Sequence, residues 1–272
     1  MRWNLRTAAV FLLGPALAPA ARLSQPAQRA FDTYIASLEL RLARQHARPE
    51  TYVAMLAGEP GSRNDAERAL LAGSALVEPV NGGSWQVSGG LLHHWRAAAL
   101  VPGASPQDIL ALLRDYGRLA RYYAPEVVSS RALTGGGAPA TLAMRFKKQQ
   151  IVTVVLDAEF ETQSGLAGPE HGYSLSRSTH IWQIDQPGSA QEHRRPEGAD
   201  DGFLWRLNSY WSFEQRREGL LMECEAVSLT RDIPAGLGWL IMPIVEDLPR
   251  ASLEFTLTAT KNALATKKEA QP

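Results

Sequence analysis

The 272-residue sequence predicts an α+β fold, in which one long C-terminal helix covers the apolar face of an antiparallel sheet and a helical extension precedes both. Three observations carry this. Residues Phe203 to Arg216 alternate strictly between two chemically different faces, and a second alternating run, Leu220 to Arg231, follows after Arg217-Glu218-Gly219. Further strand-like runs at 127–133, 140–148, 151–162 and 173–185 are separated by turn-forming or polar clusters such as Gly135-Gly136-Gly137. Finally, Ile241, Val245, Leu248, Ser252, Phe255 and Ala259 form an apolar stripe on a helix from about 244 to 265. A sheet with one apolar face must cover it, and this helix is the element left to do so.

The paired runs at 203–216 and 220–231 organise the chain. A two-residue loop at 217–218 or 218–219 makes paired positions sum to an odd number. Trp205, Leu207, Trp211 and Phe213 then share a face with Met222, Cys224, Ala226 and Ser228. Arg206, Asn208, Tyr210 and Ser212 share the other with Glu223 and Glu225. The first face mixes large aromatics with small residues, which suits either a packed core or a cavity wall. The second is a solvated lattice of cross-strand pairs if it faces outward. If it lines a cavity, it is a set of polar contacts for a ligand head.

Bulk composition narrows the classes. Hydrophobic residues make up 45% and charged residues 21%, the composition of a globular chain. Lys plus Arg and Asp plus Glu are 28 each, and no basic stripe is interleaved with aromatics, which argues against nucleic acid. The lone Cys224 falls mid-strand and reads as a small buried apolar residue.

In chain order, residues 1–21 have the form of an export signal. Arg2 and Arg6 precede the mainly apolar stretch Thr7 to Leu17, and Ala18-Pro19-Ala20 offers a small-x-small cleavage site. The alternative is an Ala-rich helix that stays attached, which places the chain in the cytoplasm. No other stretch is long and apolar enough to cross a bilayer. Residues 22–80 form a helical extension: Phe31, Ile35, Leu38 and Leu42 mark an amphipathic helix over 26–46, and shorter helices follow. Asn81-Gly82-Gly83 reads as a hairpin turn between strands at 75–80 and 84–87. A strand at 91–101 puts His93 and Trp95 on one side and His94 and Arg96 on the other. Ser105 caps a helix over Pro106–Leu113, with Pro at its first position and Asp108 in its first turn. A short helix over 116–123 follows. Residues 186–202 read as a solvent loop. Pro249 is a kink unless it lies in the first turn of the last helix.

Three local phrases carry a resemblance. One is the first strand, with Leu92-His93-His94-Trp95, followed by the helix pair and Tyr122-Tyr123-Ala124-Pro125-Glu126-Val127-Val128. Another is Phe203-Leu204-Trp205-Arg206-Leu207-Asn208-Ser209-Tyr210-Trp211, and the last is Gly236-Leu237-Gly238-Trp239-Leu240-Ile241. Over residues 88–266 the chain resembles the helix-grip fold of the START-like (SRPBCC, polyketide cyclase/dehydrase-related) superfamily. It is similar above all to bacterial START-like proteins of no assigned activity. The resemblance implies a curved sheet gripping the long helix, with a cavity between them.

The function expected is non-catalytic binding or carrying of an apolar, lipid-like molecule in that cavity, after export to the periplasm or beyond. Trp95, Trp205, Leu207, Trp211, Phe213 and Met222 supply apolar contact, and Leu248 and Phe255 close the opposite wall. His93, Arg206, Tyr210 and Glu223 are the candidate polar contacts. The competing reading is a cyclase/dehydratase-type enzyme using His93, Tyr210 or Glu223 as acid or base. A further reading is a structural domain with a filled core, its N-terminal helices docking on a protein partner that the sequence does not name. The histidines lack metal-ligand spacing, and no nucleotide, phosphate-loop or nucleophile motif is present, so no metal or cofactor is expected.

Overall fold

The computed structural model describes residues 22–57, 59–134, 139–149, 153–196, 198–232 and 238–269. The export signal at 1–21 and most of the break from Pro234 to Gly238 lie outside the described residues. Helix α1 (Gln25–His46) is followed by two short 3-10 turns, Pro49–Thr51 and Ala54–Leu56, and by α2 (Pro60–Leu71). Strands β1 (Leu76–Val87) and β2 (Gly90–Val101) lead to α3 (Pro106–Leu113) and α4 (Leu119–Tyr122). Next come β3 (Val127–Ala132), β4 (Ala140–Gln149), β5 (Thr153–Leu166), β6 (His171–Asp185) and the two-residue β7 (His193–Arg194). The chain closes with β8 (Arg206–Arg216), β9 (Gly219–Thr230) and α5 (Gly238–Glu269). One antiparallel sheet runs β1-β2-β9-β8-β6-β5-β4-β3, with β7 beside β6.

The organising hairpin has the expected register. Arg216 pairs with Gly219 across a two-residue loop, Trp211 with Cys224 and Phe213 with Met222. Alternation then gives the sheet an inner face under α5 and an outer face. On the inner face Ala97, Ala99, Val101, Trp211, Phe213, Met222 and Cys224 form one core with Leu253, Leu257 and Leu264 of α5. Gly172 permits this packing, because a Cβ there would overlap the Phe213 ring. Ser105 and Asp108 form the capping box that starts α3.

Four sequence expectations are corrected. Asn81-Gly82-Gly83 is not a hairpin turn but a bulge within β1: Pro79 pairs with Trp95 and Ser84 with His93, leaving 80–83 looped out. Asn81, Gly82 and Gly83 all have positive φ, and a side chain at Gly83 would meet Trp95 at 2.7 Å. Residues 76–80, grouped by sequence with the helical extension, therefore belong to the sheet. Second, α5 is assigned from Gly238, with Pro249 inside it. Its fully buried stripe is Leu253, Leu257, Thr260 and Leu264. Leu248 and Phe255, of the expected stripe, lie alongside, half-buried. Thr260 obscured the pattern; its hydroxyl is satisfied by the Thr256 carbonyl and Tyr123 Oη. Third, the solvent loop over 186–202 holds a two-residue strand, since His193 and Arg194 pair with β6, while Glu192 pairs with Arg145 and Arg195 with Asp185 and Asp201.

The fourth correction concerns the outer face. Over β2, β8 and β9 it is neither solvated nor part of a cavity, because the N-terminal segment lies on it. Phe31, Ile35, Leu38 and Leu42 of α1 pack on Leu92, Tyr210, Val227 and Leu229. Val53, Met55 and Leu56, with Leu70 of α2, pack on Ala98, Leu100 and Leu221.

Candidate functional site: an apolar wall and a buried carboxylate pair

Burial on the inner face changes along the strands. At the end where Val101 pairs with Leu220, the core is closed: Phe213 and Met222 are fully buried and Trp211 nearly so. Further along, where Trp95 pairs with Ala226 and Leu207 with Ser228, Trp95, Leu207 and Ala226 are only half-buried, although Ser228 and His93 on the same face are buried. Met144, Phe146 and Ile181 continue this half-buried apolar wall across β4 and β6. Phe255 faces it from α5, with Lys148 Nζ 6.0 Å from its ring centre. The expected wall therefore divides. Trp211, Phe213 and Met222 are closed core, whereas Trp95, Leu207, Leu248 and Phe255 retain exposed surface. Met144, Phe146, Ile181 and Ala226 join the wall without having been singled out by sequence; the alternation Leu142-Met144-Phe146 against Ala143-Arg145-Lys147 was the available signal.

Trp205 is a correction. It precedes β8 and packs with α1, Leu92 and Leu229, its indole nitrogen donating to Asp200 Oδ1. The alternation of 203–216 runs past the strand's true start, so it put Trp205 on the wrong side.

The polar candidates also move. His93 is buried, with its ring nitrogens engaged by Ser84 Oγ (2.8 Å) and Thr230 Oγ1 (3.0 Å). Burial pushes its pKa down to about 4, so it stays neutral. Tyr210 lies on the outer face, donating to Glu39 of α1, and burial holds its phenol well above the usual range. Arg206 donates to the Trp205 carbonyl. Arg206, Tyr210 and Glu223 thus lie on the outer face, whereas His93 shares the inner face with Trp95, pairs with Ser228, and has both ring nitrogens engaged by hydroxyls.

Glu223 and Glu225 belong instead to a charge cluster sealed between the outer face and the N-terminal segment, each only 1% exposed. Glu225 accepts from Arg41 of α1 (2.6 Å) and from His94 Nε2 (2.8 Å), and Arg96 Nε lies 3.4 Å from it. Glu223 accepts the backbone N–H groups of Ala54 and Met55 at 3.0 and 2.7 Å. Burial, with the Glu225 charge beside it, raises Glu223 to about 7. Burial acts on Glu225 too, but the His94 hydrogen bond and the Arg96 and Arg41 charges outweigh it and hold that carboxyl well below the usual range. The far nitrogen of His94 meets Tyr34 Oη at 2.7 Å, and Asn81 donates to the same oxygen. Two buried carboxylates thus help to hold residues 22–57 onto the sheet. Sequence reasoning missed this because Arg41 and Glu225 are 184 positions apart.

Cys224 lies in the closed core, its thiol pushed up by burial. Among the described residues, no group of three or more His, Cys, Asp or Glu is arranged to hold a metal, and no helix is long and apolar enough to cross a membrane.

Strand, two short helices, antiparallel strands and a long terminal helix against the inner face make this a helix-grip fold. Solved structures similar to the chain include a STAR-related lipid transfer protein from Xanthomonas axonopodis, at 15% identity over 70% of this chain and 98% of that one, with a TM-score of 0.42. A START superfamily protein from Mycobacterium smegmatis matches at 13% identity over 65% and 99%, TM-score 0.42. An aromatase/cyclase from Streptomyces matches at 12% identity over 64% and 94%, TM-score 0.39. No family model and no curated protein matches the chain. No residue role passes from these likenesses to this chain.

Proposed function

We propose that the chain binds and carries an apolar, lipid-like small molecule against the half-buried patch of the inner face, without catalysing a reaction on it. The observation that carries this is a half-buried apolar patch on an otherwise closed face. A core packed for stability alone closes over its whole length, because exposed apolar surface forfeits about 25 cal/mol per Å². Here Trp95, Leu207, Ala226 and Phe255 stay half-exposed beside residues that are fully closed. An apolar ligand would recover that free energy, less the cost of association. Tyr210 and Glu223 are committed on the outer face, and His93 has both ring nitrogens engaged by Ser84 and Thr230, which favours carriage. The site of action belongs outside the cytoplasm, if residues 1–21 act as an export signal; a mature protein that still begins at Met1 would count against that.

The test has two parts. Native mass spectrometry of the protein purified from its own cell should show a co-purifying mass of a few hundred daltons, released by organic extraction. Ala226→Trp should then lower affinity for an apolar fluorescent probe at least tenfold in a folded protein, by filling the wall. An empty protein that also ignores the probe ends the carrier reading.

A further inference from the structure

The outer face also carries a polar depression. The N-terminal segment covers β2, β8 and β9, and beyond it lies a depression of about 220 Å³ lined by Ser129, Arg131, Ala143, Arg145, Asp157 and Arg194, with backbone of their neighbours. It opens on the outer side, because Met144, Phe146 and Ala158, next in sequence to Arg145 and Asp157, belong to the inner core. Small Ala143 between its long neighbours makes the hollow.

The arginines hold different commitments. Arg145 is spent: it grips Asp157 through Nε (2.6 Å) and Nη2 (3.1 Å), and Glu192 through Nη1 (2.7 Å). Arg194 touches Asp157 only through Nε, at 3.3 Å, while its guanidinium stacks 4.0 Å over the Trp182 ring. Trp182 is itself stacked on His180, centroids 5.0 Å apart and nearly parallel. Arg194 is therefore aimed without its two terminal nitrogens being used by Asp157. Arg131 is exposed and has no ion pair among the described residues. Three guanidiniums stand against the two carboxylates Asp157 and Glu192, leaving one net positive charge.

We propose that this depression binds a phosphate group, with Arg131, Arg194 and the Ser129 hydroxyl as donors and the clamped Arg145 as a fixed positive floor. Donors from β3 and β7 approach from two sides, which suits a tetrahedral anion; a planar carboxylate is served by a single guanidinium fork. Salt weakens the binding, because the donors are exposed. The group could come from a free phosphate monoester or from an anionic lipid headgroup. The site lies across the sheet from the apolar wall, so its test does not depend on the carrier reading.

The test uses the full-length protein at low ionic strength in two arms: titration with glycerol phosphate, and co-sedimentation with phosphatidylcholine vesicles containing phosphatidic acid. The double variant Arg131→Gln/Arg194→Gln should weaken binding at least tenfold in whichever arm is positive. Arg118→Gln, which removes a surface arginine elsewhere, should leave it unchanged. Binding of glycerol phosphate alone assigns a soluble ligand, and binding of the vesicles assigns a headgroup. No binding in either arm, or a double variant that binds like the wild type, overturns the site.

Discussion

Phe213 and Leu207 sit six positions apart on one strand and one face, yet they have different work. Phe213 is fully enclosed by β6, β9 and α3, so Phe213→Ala should cost about 3–5 kcal/mol of stability. Leu207 is only half-buried, so Leu207→Ala should cost well under half of that while weakening apolar-probe binding. Urea unfolding and probe titration of the two variants separate the roles; equal stability losses with unchanged probe affinity would mean that the core closes over Leu207 as well. Alternation alone made these residues equivalent. It reports which face a side chain is on, whereas enclosure depends on which other element lies over it, and that information is in distant sequence.

At the scale of elements, the contact between β9 and the turn at Ala54–Leu56 has a pH signature. Glu223 rises from an ordinary value of 4.5 to about 7 in the fold. Between those values the folded state keeps a proton that the unfolded chain has released, so this contribution to stability falls as pH rises from about 4.5 to about 7. His46 and His93, held near 4 by burial against an ordinary 6.5, act oppositely: their contribution is lost as pH falls through that window. Glu223→Gln removes only the first effect. Its stability relative to wild type should therefore increase from pH 5 to pH 8, read as the difference in urea midpoints. A difference that does not change with pH would show that Glu223 titrates normally. The helix α1 was legible from its spacing, and so was its apolar stripe; its docking place was not. The outer face read as solvated because Glu223, Glu225, Arg206 and Asn208 look like surface residues until a partner segment arrives to satisfy them.

For the whole molecule, the sheet is loaded on both faces, by α5 within and by the N-terminal segment without. Removing that segment would strand Glu223, Glu225, Val227 and Leu229, so extension and sheet should unfold in one transition. Near-ultraviolet circular dichroism and cleavage of a protease site placed at the exposed Leu40 should report the same midpoint. An earlier loss of the N-terminal segment would make it an independent unit. The hairpin register and the presence of the terminal helix were readable from local pattern, because each is fixed by neighbours in sequence, whereas the pairing of β2 with β9 was not. Closure of the outer face was not, since Arg41 meets Glu225 across 184 positions. That separation bears on how the chain is made. At about 5–20 residues per second, α1 leaves the ribosome about 10–40 s before its seat on β9 exists. Throughout that interval Phe31, Ile35, Leu38 and Leu42 present an uncovered apolar stripe, which marks the newborn chain as a client for chaperones from its first helix onward.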